Sequence, residues 1–183
     1  KSLFVKMLAG TEKSDNGNEI EKLKVSYKPQ YVKASPNMTV IQLFSGAKLN
    51  AQVFEEAHRK LNVFSLMDKE LEHLSGGELQ RVAIVLALSQ DADIYLLDEP
   101  SAFLDIEQRL HFAQLVQNII ENSGKVAFVV DHDLVLIDAL SSRIMAFEGE
   151  SSLRGVAADW RRCLSDAKVH LHRKRDAERL ATE

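Results

Sequence analysis

A single cysteine, Cys163, occurs among 183 residues, which excludes an internal disulfide and any cysteine-clustered metal site within the chain. Long hydrophobic runs are missing too. Residues 82–88 and 126–130 are core-sized, well short of the roughly 20 apolar residues that a membrane-spanning helix needs. Lys1 is followed by only a short apolar stretch without a signal-peptide pattern, so a cytoplasmic location is the default expectation. Internal repeats and low-complexity tracts are absent, which sets aside solenoid and disordered-array architectures.

What is present fits one globular domain with a sizeable core and a small subdomain. The apolar fraction is 45% and the charged fraction 27%, both ordinary for a soluble fold. The net charge of −4 is unevenly placed, because residues 154–183 hold eight Lys/Arg against five Asp/Glu. That basic tail leaves two readings open, contact with RNA or an acidic partner, and a solvated helix face.

Two strings carry the chemistry. Residues 74–81 read LSGGELQR and residues 94–100 read IYLLDEP. Ser75, Gly76, Gly77 and Glu78 precede a periodic apolar run (Leu79, Val82, Ala83, Leu86, Ala87), so they open a helix. The first N–H groups of a helix lack internal partners and lie at its positive end, which suits an anion. Glycine at 76 and 77 lets a phosphate approach the backbone. Taken alone, the same string also reads as a capping box, with Ser75 as N-cap and Glu78 returning the bond. Residues 94–97 form a continuous apolar run, as expected of a strand covered on both faces of a parallel sheet. Asp98 and Glu99 sit at its carboxyl end, where open α/β sheets bind ligands. Asp98 suits a Mg²⁺ shell, and Glu99 suits polarising an attacking water.

Elsewhere, residues 3–8 (LFVKML) read as a helix stopped by Gly10, and residues 14–18 as a turn. Residues 24–27 (KVSY) look like a strand ended by Pro29. Residues 35–74 carry helical periodicity (Val40, Leu43, Phe44; Val53, Phe54, Ala57, Leu61) interrupted by Gly46 and Asn50. Residues 106–122 form an amphipathic helix with Leu110, Ala113, Val116 and Ile120 on one side. Residues 126–130 read as a second doubly buried strand, 134–140 as a helix and 144–147 as a last strand. This strand–helix alternation implies a parallel α/β sheet with right-handed crossovers. In the tail, Val156, Trp160, Cys163, Leu164, Ala167 and Leu171 fall at helical spacing, and the nearly all-charged end beyond His172 is expected to be solvated.

LSGGELQR and IYLLDEP together resemble the signature motif and Walker B strand of ATP-binding cassette (ABC) ATPases, which implies a P-loop NTPase fold: a mostly parallel sheet flanked by helices, with a small helical subdomain. The resemblance divides the chain into an ATP-binding core (1–34 and 88–153), a helical signature subdomain (35–87) and a hinge-like helical tail (154–183). It implies ATP and Mg²⁺ as cofactors. Lys1 and Ser2 match the end of the phosphate-binding loop, Lys1 neutralising phosphates and Ser2 reaching Mg²⁺. Gln30, after VSYKP, resembles the Q-loop glutamine, a third Mg²⁺-linked residue beside Ser2 and Asp98. Ser101, Ala102, Leu104 and Asp105 belong to a string, SAFLD, that resembles the D-loop. His132 resembles the switch histidine, and with Glu99 completes the catalytic pair. The remaining histidines (58, 73, 111, 170 and 172) are assigned no chemistry.

Glu78 in place of the glutamine commoner in transporters, together with VSYKPQ and DEPSAFLD, is similar to one branch, the ribosome-recycling ABC ATPases or RNase L inhibitor family, and within it to the second cassette. That branch implies a soluble twin-cassette ATPase that splits ribosomal subunits. Its partners would be the first cassette of the same polypeptide, the ribosome and ribosomal RNA, with no DNA and no membrane span. Leu74, Ser75, Gly76, Gly77 and Glu78 would then grip a nucleotide held by the opposite cassette. The phosphate-loop glycines, the first cassette and the iron–sulfur region of the family would lie upstream of Lys1. The polypeptide taken alone is accordingly expected to bind ATP poorly and to be inactive. Two other readings stay open: the cytosolic ATPase subunit of a membrane transporter, and a binding module in which ATP holds a conformation and turnover is incidental.

Overall fold

The computed structural model describes residues 24–31, 36–142, 144–150 and 154–160. The helix expected at 3–8, the turn at 14–18, Lys1, Ser2 and the tail from 161 onward lie outside the described residues. The chain divides into two compact units, Lys1–Ile137 and Asp138–Glu183.

In the first unit, three parallel strands lie in the order β1–β2–β3: β1 (Val25–Lys28), β2 (Ile94–Asp98) and β3 (Val126–Val130). Lys28 is level with Leu97, and Asp98 with Val130, so the carboxyl ends of all three strands share one edge. The middle strand is the buried one, with Tyr95, Leu96 and Leu97 almost inaccessible. β3 departs from expectation, since Val126 is exposed and the rest of the strand is half-buried. It is an outer strand of the three described, and an apolar run alone does not distinguish an outer strand from one covered on both faces.

Between β1 and β2 stand α1 (Val40–Ser45), α2 (Ala51–Lys60), two 3₁₀ turns (Phe64–Leu66 and Leu71–His73) and α3 (Gly76–Ser89). Thr39 caps α1 with a full capping box, and Asn50 caps α2. Both caps satisfy N–H groups that the helix itself leaves free. Val40, Phe44, Ala57, Leu61 and Leu66 form the small apolar centre of this segment. α3 is buried on most of its circumference (Val82, Ala83, Ile84, Val85, Ala87 and Leu88), as a helix enclosed by its domain must be. Ser26 anchors it to the sheet, donating its hydroxyl to the Ala87 carbonyl at 2.7 Å.

The crossover helix α4 (Ile106–Ser123) is capped by Asp105 and stopped by Gly124 at φ 65°, a left-handed position that glycine takes without strain. Its buried face is Phe112, Ala113, Leu115, Val116 and Ile119, an i, i+3, i+4, i+7 stripe. The stripe expected through Leu110 and Ile120 is therefore rotated, and Leu110 is exposed. α5 spans Leu134–Leu140.

In the second unit, β4 (Ile144–Glu150) pairs antiparallel with β5 (Arg154–Trp160), Gly149 opposite Gly155. This corrects two expectations. The last strand joins a two-stranded antiparallel sheet rather than the parallel one, and residues 154–160 are strand rather than the start of a helical tail. Val156, Ala158 and Trp160 also alternate at period two, Gly155 weakens a helix, and three intervening residues favour a hairpin over a helical excursion.

Candidate functional site

The site forms where β1, β2 and β3 end. β2 delivers Asp98 and Glu99, β1 leads into Gln30, and β3 leads into Asp131 and His132. Glu99 takes φ 46°, a left-handed conformation that costs a non-glycine residue about 1–2 kcal/mol. Its N–H donates to the Val130 carbonyl at 2.7 Å, which ties the turn to β3. Its carboxylate is bracketed. Gln30 Nε2 donates to Oε2 at 2.7 Å, and His132 Nε2 lies 2.9 Å from Oε1. Three residues singled out separately from sequence thus meet at one carboxylate.

Asp98 is 1% exposed, and its Oδ1 is buried with no hydrogen-bond partner among the described residues. An unsatisfied buried carboxylate oxygen is costly. Its chemistry fits a hard cation that takes oxygen ligands, so the donor set present suits Mg²⁺.

Three further residues hold this edge together, and sequence reading passed over all of them. Lys28 is 1% exposed and donates from Nζ to the carbonyls of Asp98 at 2.9 Å and Glu99 at 3.2 Å. Burial pushes its ammonium down to about 8, against the pull of Asp98, Asp131 and Glu99. Gln80, on α3, donates from Nε2 to the carbonyls of Glu99 and Pro100, each at 2.9 Å. Asp131 accepts the Ser101 N–H on Oδ2 at 3.1 Å. Its Oδ1 accepts the Ser101 hydroxyl at 2.7 Å and the N–H groups of His132 at 2.7 Å and Asp133 at 3.0 Å. One buried carboxylate thereby fixes the segment after β2 to the segment after β3. A usable signal existed for Lys28. It follows Ser26 on the inward-facing register of β1, where a lysine is out of place.

An open cleft of about 590 Å³ adjoins the carboxylate, lined by Glu99, Ser101, Arg109, Asp131, His132 and Val135. Ser101 and Leu104 are buried, and Asp105 accepts the Gln108 N–H as the cap of α4. Ala102 donates its N–H to the Glu99 carbonyl at 3.4 Å. Phe103, between them, is exposed and left-handed at φ 62°.

At the start of α3 the capping box is formed. Ser75 Oγ accepts the Glu78 N–H at 3.3 Å, and Glu78 Oε2 accepts the Ser75 N–H at 2.8 Å. Lys69 donates to Glu78 Oε1 at 2.8 Å. Lys69 first, and then the Ser75 N–H, hold the Glu78 carboxyl at about 2. Leu74 ends the 3₁₀ turn just before the cap. These residues bond among themselves rather than to the Gln30–Glu99–His132 cluster. The glycines have a second reason to be glycine. A Cβ on Gly77 would stand 2.8 Å from the Phe103 carbonyl oxygen, and one on Gly76 would meet the Phe103 ring at 3.5 Å. His73, assigned no chemistry from sequence, lies with Glu70 and Glu72 in a largely exposed cluster whose ligand-type atoms fall within 4.8 Å of one another.

A parallel sheet flanked by helices, with a buried Asp–Glu strand end bracketed by glutamine and histidine, defines the ATP-binding cassette class of P-loop NTPases. The family model described as ABC transporter matches residues 1–102, and the chain belongs to that family. It is similar to Translation initiation factor RLI1 of Saccharomyces cerevisiae, 46% identical over 153 residues, which cover 81% of this chain and 25% of that protein. It is also similar to ABC transporter E family member 3 of Arabidopsis thaliana, 41% identical over 143 residues, covering 73% of this chain and 79% of that protein. Among solved structures, the complex of archaeal ribosomal stalk protein aP1 and archaeal ribosome recycling factor aABCE1 matches with a TM-score of 0.79 and 47% identity, covering 86% of this chain and 31% of that one. The chain spans about a quarter of the length of the first curated relatives it matches. No helix among the described residues is long and apolar enough to cross a membrane.

Proposed function

We propose that the chain is the nucleotide-binding and hydrolysing cassette of a twin-cassette ATPase of the ribosome-recycling kind. The observation that carries the chemistry is the Glu99 carboxylate fixed between Gln30 and His132, beside Asp98, whose Oδ1 has no partner among the described residues. In this reading Glu99 accepts a proton from, or polarises, the attacking water, and His132 orients the carboxylate and meets the terminal phosphate. Asp98 and Gln30, with Ser2, hold Mg²⁺, and Lys1 neutralises phosphate charge. The metal, when bound, offsets the charge that builds on the transferring phosphoryl group.

Leu74, Ser75, Gly76, Gly77 and Glu78 serve the other site, gripping a nucleotide held by a second cassette of the same polypeptide. Supporting this, Ser75 and Glu78 bond to each other and Glu78 to Lys69, rather than to Gln30, Glu99 or His132, while the helix start carries the partial positive charge that suits phosphate. Ser101, Ala102, Leu104 and Asp105 form the loop that faces that second cassette. In this reading the core (1–34 and 88–153) supplies the hydrolytic residues and the signature subdomain (35–87) the residues that grip the second nucleotide. The translation-factor name of one relative and the ribosomal partner in one solved complex support action on ribosomes.

The test is Glu99→Gln in the full-length protein. Removing a positioned general base should lower ATP turnover by roughly 10²–10⁴-fold while nucleotide stays bound and ribosomal subunits, once parted, remain parted. Unchanged turnover would sink the assignment of Glu99. Turnover lost without any effect on ribosome splitting would sink the ribosomal reading alone.

A further inference from the structure

We propose that Lys28 and Gln80 are positioning residues that clamp the Glu99 peptide from two sides and so keep its carboxylate between Gln30 and His132. The proposal rests on Glu99 acting as the hydrolytic base.

Glu99 combines a left-handed backbone with a side chain aimed at two partners on different segments. Such a conformation persists only when its surroundings over-determine it. If φ relaxes to a negative value, the Cα–Cβ direction swings and the carboxylate leaves both partners. The restraint is visible in the bonds to the main chain. The N–H of Glu99 is tied to β3 through the Val130 carbonyl. Its carbonyl accepts from Lys28 Nζ, reaching across from β1, and from Gln80 Nε2, reaching down from α3. Lys28 also takes the preceding carbonyl, of Asp98, and Gln80 the following one, of Pro100. Three consecutive carbonyls around the strained residue are therefore held by two side chains from two other elements.

Lys28 is an expensive choice for that task. It is 1% exposed, and none of the ion pairs among the described residues includes its ammonium. A buried charge without a close counter-ion is strongly disfavoured, and an apolar side chain of similar volume would pack at lower cost. What the ammonium offers that an apolar residue does not is several donors on one atom, able to hold adjacent carbonyls at once. Neither Lys28 nor Gln80 touches the Glu99 carboxylate, so both act through the backbone.

The test uses the full-length protein with Lys28→Met and Gln80→Met, each of which keeps a long unbranched side chain without its donors, and Glu99→Gln as the control. Steady-state turnover, KM for ATP, affinity for a non-hydrolysable ATP analogue and the melting temperature are measured on each. The clamp predicts that Lys28→Met and Gln80→Met each lower kcat by roughly tenfold or more, with KM and analogue affinity within about threefold of the parent. Parent-like kcat in both, alongside an inactive Glu99→Gln, overturns the clamp and leaves the base assignment standing. An active Glu99→Gln overturns the base assignment, and the clamp with it. A parallel fall of kcat, analogue affinity and melting temperature in both variants assigns them to the fold alone and also overturns the clamp. Should Lys28→Met fail to fold, Gln80→Met decides by the same criteria.

Discussion

His132 Nε2 lies 2.9 Å from Glu99 Oε1, so the end of β3 meets the end of β2 through two side chains as well as through the backbone bond from the Glu99 N–H to the Val130 carbonyl. The imidazole is largely exposed, at 73%, beside a carboxylate that is 24% exposed. It contributes little buried area, and its value lies in orientation. His132→Ala should therefore leave the melting temperature close to the parent's, within about 0.5 kcal/mol of stability. Turnover should fall by roughly 10²-fold, the lower end for loss of a positioned catalytic group. Parallel ATPase assays and thermal melts check this, and a large loss of stability would show that His132 is structural.

Asp131 governs where that histidine sits. Its two oxygens accept four hydrogen bonds, from Ser101 N–H, Ser101 hydroxyl, His132 N–H and Asp133 N–H, at 8% exposure. Asn in its place keeps one acceptor and turns the other into a donor that faces groups already donating. Asp131→Asn should cost about 1–3 kcal/mol, read by chemical denaturation. It should also lower turnover by displacing His132 and the Ser101 segment together. Full activity in Asp131→Asn would separate the two loops and remove the positioning role.

Gly76 and Gly77 should respond oppositely to alanine. At Gly76 a methyl group meets the Phe103 ring at an ordinary 3.5 Å, in the first turn of α3. There alanine relieves backbone entropy worth about 0.5–1 kcal/mol. At Gly77 the methyl meets the Phe103 carbonyl oxygen at 2.8 Å, and backbone must shift. Gly77→Ala should destabilise by about 1–3 kcal/mol, the usual cost of overpacking. Thermal melts without nucleotide separate this effect from any role in gripping phosphate. Equal melting temperatures for the two variants would contradict the close approach.

How far the sequence carried the reading depended on whether the signal was local. Asp98 and Glu99 announce themselves because an apolar strand ends in two carboxylates. Ser75 and Glu78 do so because a capping box is a four-residue pattern. Gln30 and His132 needed the family pattern to select them from ordinary surface residues, and the geometry then placed both on Glu99. Lys28, Gln80 and Asp131 stayed hidden because their roles arise from partners 70, 19 and 30 residues away. The rotated face of α4 is not legible in the sequence, because Leu110 continues the helical period while lying outside the buried stripe. The strand at 154–160 is ambiguous in the sequence, because Val156 and Trp160 satisfy both a helical and an alternating period, and only pairing with β4 decides between them.

Glu78 gives the site a dependence on acid. Lys69, and then the Ser75 N–H, favour its ionised form and hold the folded pKa at about 2, below the ordinary 4.5. Between those values the unfolded chain binds more protons than the folded one, so stability rises with pH. The contribution is complete above about pH 4.5 and is lost as pH falls through about 2. Gln in place of Glu78 keeps an acceptor for the Ser75 N–H but has no charge to titrate. Glu78→Gln should therefore flatten the stability profile between pH 4.5 and 2. Near neutrality it should cost under about 1 kcal/mol, because the pair with Lys69 is partly open to solvent. Denaturation midpoints measured from pH 7 down to pH 2 on both proteins decide it, and parallel curves would show that the Lys69–Glu78 pair adds nothing in solution.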